Sequence, residues 1–190
     1  AALHATPVRL SREITPDSMR ARLAERVALL GPVLGEAHVR HAAQAIDDGR
    51  PALRQSTPCT LHGDFHARNI LVADLHDGPH VSLIDLDGLR RGPALIELGA
   101  WIADAMYRAL LEGANAQRDA ASWQTMIDAY AAAGGQRPDA HALRWATAWN
   151  LLTQRTWRCV VNLKPGRYAL APRLVALAAE LARANEAAAC

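Results

Sequence analysis

Leu61-His62-Gly63-Asp64-Phe65-His66-Ala67-Arg68-Asn69-Ile70-Leu71-Val72, followed by Val81-Ser82-Leu83-Ile84-Asp85-Leu86-Asp87-Gly88, is the stretch that decides the fold of this 190-residue chain. Between Thr57 and Gly92 the helical apolar period seen elsewhere in the chain vanishes. Asn69–Val72 and Val81–Ile84 read as short strands. Between them, Ala73 to His80 carries turn chemistry, an Asp77-Gly78 step followed by Pro79, which predicts a β-hairpin. The polar residues at the outer ends of these strands are not needed to build them. A hairpin brings its outer ends together, so Asp64, Asn69 and Asp85 are expected to converge at one end of the ladder. Two carboxylates and an amide oxygen are hard ligands that suit Mg²⁺. Metal to neutralise phosphate charge, with a further carboxylate to orient a hydroxyl, is what phosphoryl transfer requires.

Outward from this segment the chain reads as helix. Thr15 and Pro16 supply an N-cap and a first-turn proline. Met19, Leu23, Val27 and Leu30 then recur at helical spacing, and Gly31-Pro32 is expected to end that helix. A second helix is expected from about Val33 to Asp48, stopping at Gly49. Leu98, Ile102, Ala105 and Ala109 share a face closed by Gly113. Trp123, Ile127 and Tyr130 mark another helix, closed by Gly134-Gly135. Asp139 is placed to cap one carrying Trp145, Trp149 and Leu152. Lys164-Pro165-Gly166 breaks the chain before a last stripe of Leu170, Leu174, Leu177 and Leu181. Stripes of this kind pack cores. The fold class expected is α+β, predominantly α-helical, with an inserted β-hairpin. There is no internal repeat and no obvious domain boundary.

Composition limits the function. Hydrophobic residues make up 51% and charged residues 21%, which argues against disorder. A net charge of +2 gives no reason to expect nucleic acid as a partner. No uncharged apolar run reaches membrane-spanning length. The start Ala1-Ala2-Leu3-His4 shows no signal-peptide pattern. Cys59, Cys159 and Cys190 are odd in number and widely spaced, which points to a reducing, cytoplasmic compartment. Of the 21 basic residues only Lys164 is a lysine. His62 and His66 are four apart, but Gly63 argues against a helical zinc pair. His38 and His41 read as surface or packing residues. Cys59 has no evident cause of a low pKa, and no Gly-x-Ser-x-Gly elbow is present.

His-x-Asp followed five residues later by Asn matches the protein-kinase catalytic loop. With Gly between His62 and Asp64, and Ile84-Asp85-Leu86-Asp87 after the hairpin, the chain resembles the aminoglycoside phosphotransferase and choline kinase family. The Ala1-Ala2-Leu3-His4-Ala5 opening resembles the segment that follows the inter-lobe hinge in that family. The resemblance covers essentially the whole chain and implies a protein-kinase-like C-terminal lobe over residues 1–190. The catalytic loop and metal site would lie in 61–92 and a helical substrate-side region in 93–190. It further implies that Asp64 is the catalytic base, and that Asn69 and Asp85 hold Mg²⁺ against the phosphates of ATP. Asp87 is either a second metal ligand or a brace of its loop. His62 would brace the catalytic loop. Glu97 would support it from a helix start, where the family usually has the shorter Asp. His66 and Arg68 are candidate phosphate contacts.

The implied activity is transfer of the γ-phosphate of ATP to a hydroxyl of a small metabolite or aminoglycoside-like compound. A cationic acceptor would want an acidic, partly aromatic pocket, for which Asp104, Asp128, Trp101 and Trp157 are candidates. No lysine precedes Lys164 and no Gly-rich phosphate loop is present. The nucleotide-binding N-terminal lobe, ~100 residues by ordinary domain size, is therefore expected to be absent from this chain, and the isolated chain to be inactive. The alternative is a catalytically silent kinase-like binding or scaffold domain. A metal-dependent hydrolase using the same carboxylates is disfavoured, because two-metal hydrolases gather more His and Asp ligands.

Overall fold

The structure, a computed structural model, describes residues 1–49, 57–76, 78–114, 120–162 and 165–183. A short α1 (Ala2–Ala5) opens the chain. Thr15 then starts the first long helix. Its hydroxyl accepts from the Ser18 N–H at 3.1 Å and the Ser18 hydroxyl accepts from the Thr15 N–H at 2.9 Å, a reciprocal capping box with Pro16 in the first turn. Helix α2 (Pro16–Leu34) does not stop at Gly31-Pro32, as the sequence predicts. Pro32 deletes only the hydrogen bond to the Ala28 carbonyl, and Ala28 is exposed, where water can satisfy that oxygen. The break comes at Gly35, whose φ of +95° favours glycine, and α3 (Glu36–Asp48) begins after it rather than at Val33.

The core lies among α3, α4 (Ala94–Leu111), α6 (Ala140–Asn150) and α8 (Ala171–Arg183), and it includes Leu30, Ile46, Met106, Trp145, Leu152 and Leu174. Asp139 caps α6, its carboxylate accepting from the Ala142 N–H at 2.8 Å. Helix α5 (Ala120–Ala132) buries Ile127 and Tyr130 against Leu98. The expected stop at Lys164 lies outside the described residues. Helix α6 continues without a break through a π-helical segment, Leu151–Thr156, into α7 (Trp157–Val161). Within it the Thr153 and Thr156 hydroxyls donate back to the carbonyls of Trp149 and Leu151, at 2.7 and 2.9 Å. Insertions of this kind re-aim side chains within a helix.

Two small sheets position the polar loops. Strands β2 (Ile70–Leu75) and β3 (Gly78–Leu83) pair antiparallel, from Ile70 opposite Leu83 to Leu75 opposite Gly78. They extend into the stretch expected to turn; Asp77 lies outside the described residues. The second sheet, β1 (Pro58–Leu61) antiparallel to β4 (Arg90–Pro93), has no counterpart in the sequence reading. Neither strand alternates polar with apolar residues, so neither carries the usual signal. β1 leads into His62 and β4 leads away from Gly88, so this pair sets the two polar loops side by side. The segment before α2 joins them: the Ile14 N–H donates to the Arg91 carbonyl at 2.7 Å.

Candidate active site

The loop after β1 is built around backbone contact with the turn before β4. Gly63 has φ +84°, and a Cβ there would lie 2.1 Å from the Gly88 carbonyl oxygen. A Cβ on Gly88 would lie 2.9 Å from the His62 carbonyl oxygen. Both positions are therefore confined to glycine. The Arg90 guanidinium ties the two loops together, donating to the carbonyls of Gly88 at 2.8 Å and Gly63 at 3.4 Å. His62 is fully buried. Its Nε2 donates to the Ile84 carbonyl at 2.9 Å, and its Nδ1 accepts from the Asp64 N–H at 3.4 Å, which one neutral tautomer satisfies. Asn69 is buried in a 3₁₀ turn, and its Nδ2 donates to the Asp64 carbonyl at 2.9 Å. The Ile84 N–H donates to the Asn69 carbonyl at 3.1 Å. The hairpin thus brings the Ile84-Asp85 backbone against Asn69 and His62. Asp85 is exposed and holds a left-handed backbone (φ +61°), the one non-glycine among the described residues that does.

The Asp64 carboxylate is about a quarter exposed. Its Oδ1 accepts from Arg158 Nη2 of α7 at 3.1 Å, and its Oδ2 lies 3.6 Å from His66 Nε2. His66 is buried rather than open to solvent, with Nδ1 unpartnered. Burial lowers its pKa, and the charge of Asp64 only partly opposes this. Arg68 is exposed. Asp87 is exposed too, and its carbonyl accepts from Arg12 at 3.1 Å. Glu97, in the first turn of α4, is buried; its Oε1 accepts from the Gly63 N–H at 2.8 Å. Its Oε2 meets His4 Nε2 at 2.9 Å, and His4 Nδ1 meets the Tyr130 hydroxyl at 2.8 Å. Burial, with the nearby Glu97 charge, pushes the Cys59 thiol up to about 11, which removes it as a nucleophile at neutral pH. Among the described residues no three His, Cys, Asp or Glu side chains gather to hold a metal. Mg²⁺ bound through one or two carboxylates, phosphates and water needs no such cluster.

The family profile described as the phosphotransferase enzyme family matches residues 1–145, which takes in both polar loops and Glu97 but stops short of Arg158. The chain belongs to that family. A crystal structure of a choline/ethanolamine kinase family protein from Mesorhizobium loti is similar in fold, with a TM-score of 0.66 at 16% identity. The match takes in 97% of this chain and 60% of that one, so the chain spans about three-fifths of that protein's length. No curated protein matches the sequence. Within the described residues no helix is long and apolar enough to cross a membrane.

Three contacts of these two loops are not readable from the motif. Arg158 reaches Asp64 from 94 residues away, His4 reaches Glu97 from 93, and Arg90 clamps both loops. In a chain whose basic residues are nearly all arginine, composition does not single out any of them. The candidates for a cationic acceptor pocket are otherwise engaged. Asp104 is buried between Arg155 (3.0 Å) and Arg108 (2.6 Å), and Asp128 pairs with Arg137 on the surface. Trp157 lies under Arg26, and Trp101 packs on Phe65.

Proposed function

We propose that this chain is the C-terminal, acceptor-side part of an ATP-dependent small-molecule kinase, with its nucleotide lobe outside residues 1–190. The observation that carries the reading is the meeting of two loops: Asp64 and Asn69 on one, Asp85 on the other, locked by Gly63, Gly88 and Arg90. The donor set fits Mg²⁺. The Nδ2 of Asn69 is committed to the Asp64 carbonyl, so its amide oxygen and the exposed Asp85 carboxylate are the atoms that would hold the ion. Bound Mg²⁺ and ATP would supply charge neutralisation and the transferable phosphoryl group. The chain's own residues do the rest. Asp64 accepts the proton of the acceptor hydroxyl and orients its oxygen. Arg158 holds Asp64 Oδ1 in place. His62 and Glu97 keep the loop backbone in register from below. His66, neutral and buried beside Asp64, and the exposed Arg68 flank the phosphoryl path.

The test uses the full-length gene product, Mg²⁺-ATP and a panel of hydroxyl acceptors: amino alcohols, aminoglycosides, sugars and hydroxy acids. Asp64→Ala is expected to lower kcat by about a thousandfold, the range of a positioned general base, while nucleotide binding persists. Asp85→Ala is expected to weaken Mg²⁺-ATP binding itself. Activity that survives Asp64→Ala overturns the assignment. Tight Mg²⁺-ATP binding without turnover on any acceptor would instead support a silent binding domain.

A further inference from the structure

A cavity of about 300 Å³ opens beside Arg12 and Arg90, the side chains that hold the Asp87 and Gly88 carbonyls. Arg22 of α2 forms a third basic wall, half-buried and 5.9 Å over the Trp149 ring. None of these three guanidiniums has a carboxylate within 4.0 Å among the described residues. Glu13, the acidic group on the rim, is exposed and pairs with none of them. Burial lowers the pKa of Arg22 and Arg90, and each is lowered further by a neighbouring guanidinium, Arg90 beside Arg22 and Arg12 beside Arg90. Arginine keeps its proton under such pressure; the Glu25 charge acts on Arg22 and the Glu97 and Asp64 charges on Arg90, but the cavity lining itself sets three guanidiniums against the one carboxylate of Glu13. Ile14, Met19 and Trp149 supply an apolar part of the lining. Trp149 is 2% exposed and its indole N–H is buried without a partner.

We infer that this cavity binds the phosphoryl group of a small phosphomonoester carrying an apolar body. Guanidinium forks match phosphate oxygens, and three of them suit a dianion better than a single carboxylate. The volume, about 300 Å³, is more than a bare phosphate fills, and the lining includes the apolar Ile14, Met19 and Trp149. Nothing in the loop chemistry proposed for Asp64 and Asp85 uses this cavity. Arg12 and Arg90 line the cavity while also holding the Asp87, Gly88 and Gly63 carbonyls.

The test is a titration of full-length protein with phenyl phosphate and with inorganic phosphate. EDTA is present and nucleotide absent, so the result is independent of the kinase reading. Phenyl phosphate is expected to bind more tightly than inorganic phosphate and to change the tryptophan fluorescence. Arg22→Ala is expected to weaken binding by about tenfold or more, the effect of losing a charge-assisted bond, while Asp85→Ala leaves it unchanged. Arg12 is exposed, so Arg12→Ala serves as the second variant should Arg22→Ala fail to fold, with the same loss expected. Absence of binding, binding unchanged in the arginine variant, or loss in Asp85→Ala overturns the site. Equal affinity for the two probes overturns the apolar-body assignment.

Discussion

At the residue scale, the site rests on side chains whose polar atoms are spoken for by the backbone. His62, Asn69 and Glu97 each hold a loop amide or carbonyl, whereas the Asp64 carboxylate answers to Arg158 and Asp85 is exposed. His66 is the exception: it is buried, yet Nδ1 has no partner. The lowered pKa of His66 has a consequence for stability. In the unfolded chain it protonates near 6.5, whereas in the fold it stays neutral to lower pH. Below about pH 6.5 the unfolded state therefore binds the extra proton and folding loses stability, with no such contribution above it. Urea midpoints measured between pH 8 and pH 5 are expected to fall more steeply for the wild type than for His66→Gln. Parallel curves would show that burial does not hold His66 neutral.

At the element scale, most helices were legible because caps and apolar spacing are local. Thr15 and Asp139 cap where expected, and Gly113 and Gly134 close their helices. The exceptions have local physical causes. Pro32 sits so near the end of α2 that its lost hydrogen bond falls on an exposed carbonyl, and the positive φ of Gly35 sets the boundary. The β1–β4 pair is held by register with a partner about 30 residues away, which no periodicity announces. The π-helical insertion from Leu151 to Thr156 left no signal in the apolar stripe, although it directs Arg155 to Asp104 and precedes the Arg158 contact. Helix packing supplies a test. Gly99 of α4 faces α6 so closely that a Cβ would lie 2.6 Å from the Ala146 backbone. Alanine improves helix propensity by about 1 kcal/mol, but backbone overlap of this kind costs about 1–3 kcal/mol, and a backbone cannot swing aside. Gly99→Ala is expected to lower Tm by roughly 3–6 °C. An increase would mean that α4 and α6 are not so tightly apposed.

At the scale of the whole molecule, Glu97 is where distant parts of the chain meet. Its carboxylate joins the start of α4, the Gly63 loop and His4 of α1, and through His4 the Tyr130 of α5. Glu97→Ala leaves the Gly63 N–H and the His4 ring without their acceptor, and is expected to cost about 2–4 kcal/mol. Glu97→Gln, which keeps one acceptor oxygen, should cost less. Chemical denaturation checks both, and a loss below about 0.5 kcal/mol for the alanine variant would show that the cluster does not bind the parts together. The helical class, the hairpin and the two polar loops that carry Asp64, Asn69 and Asp85 are all legible along the chain. Caps, apolar periods and motif spacing act over a few residues, so they can be read along the chain. The side chains that complete those loops emerge only from the folded chain: Arg158 on Asp64, His4 on Glu97, and Arg90 between the Gly63 and Gly88 carbonyls. The tertiary structure also decided that Asp104 pairs with Arg155 and Arg108, and that Arg12, Arg22 and Arg90 line one cavity. Charge pairing depends on distance in space. In a chain where arginine is spread from end to end, position along the sequence carries almost no information about which guanidinium will find which carboxylate.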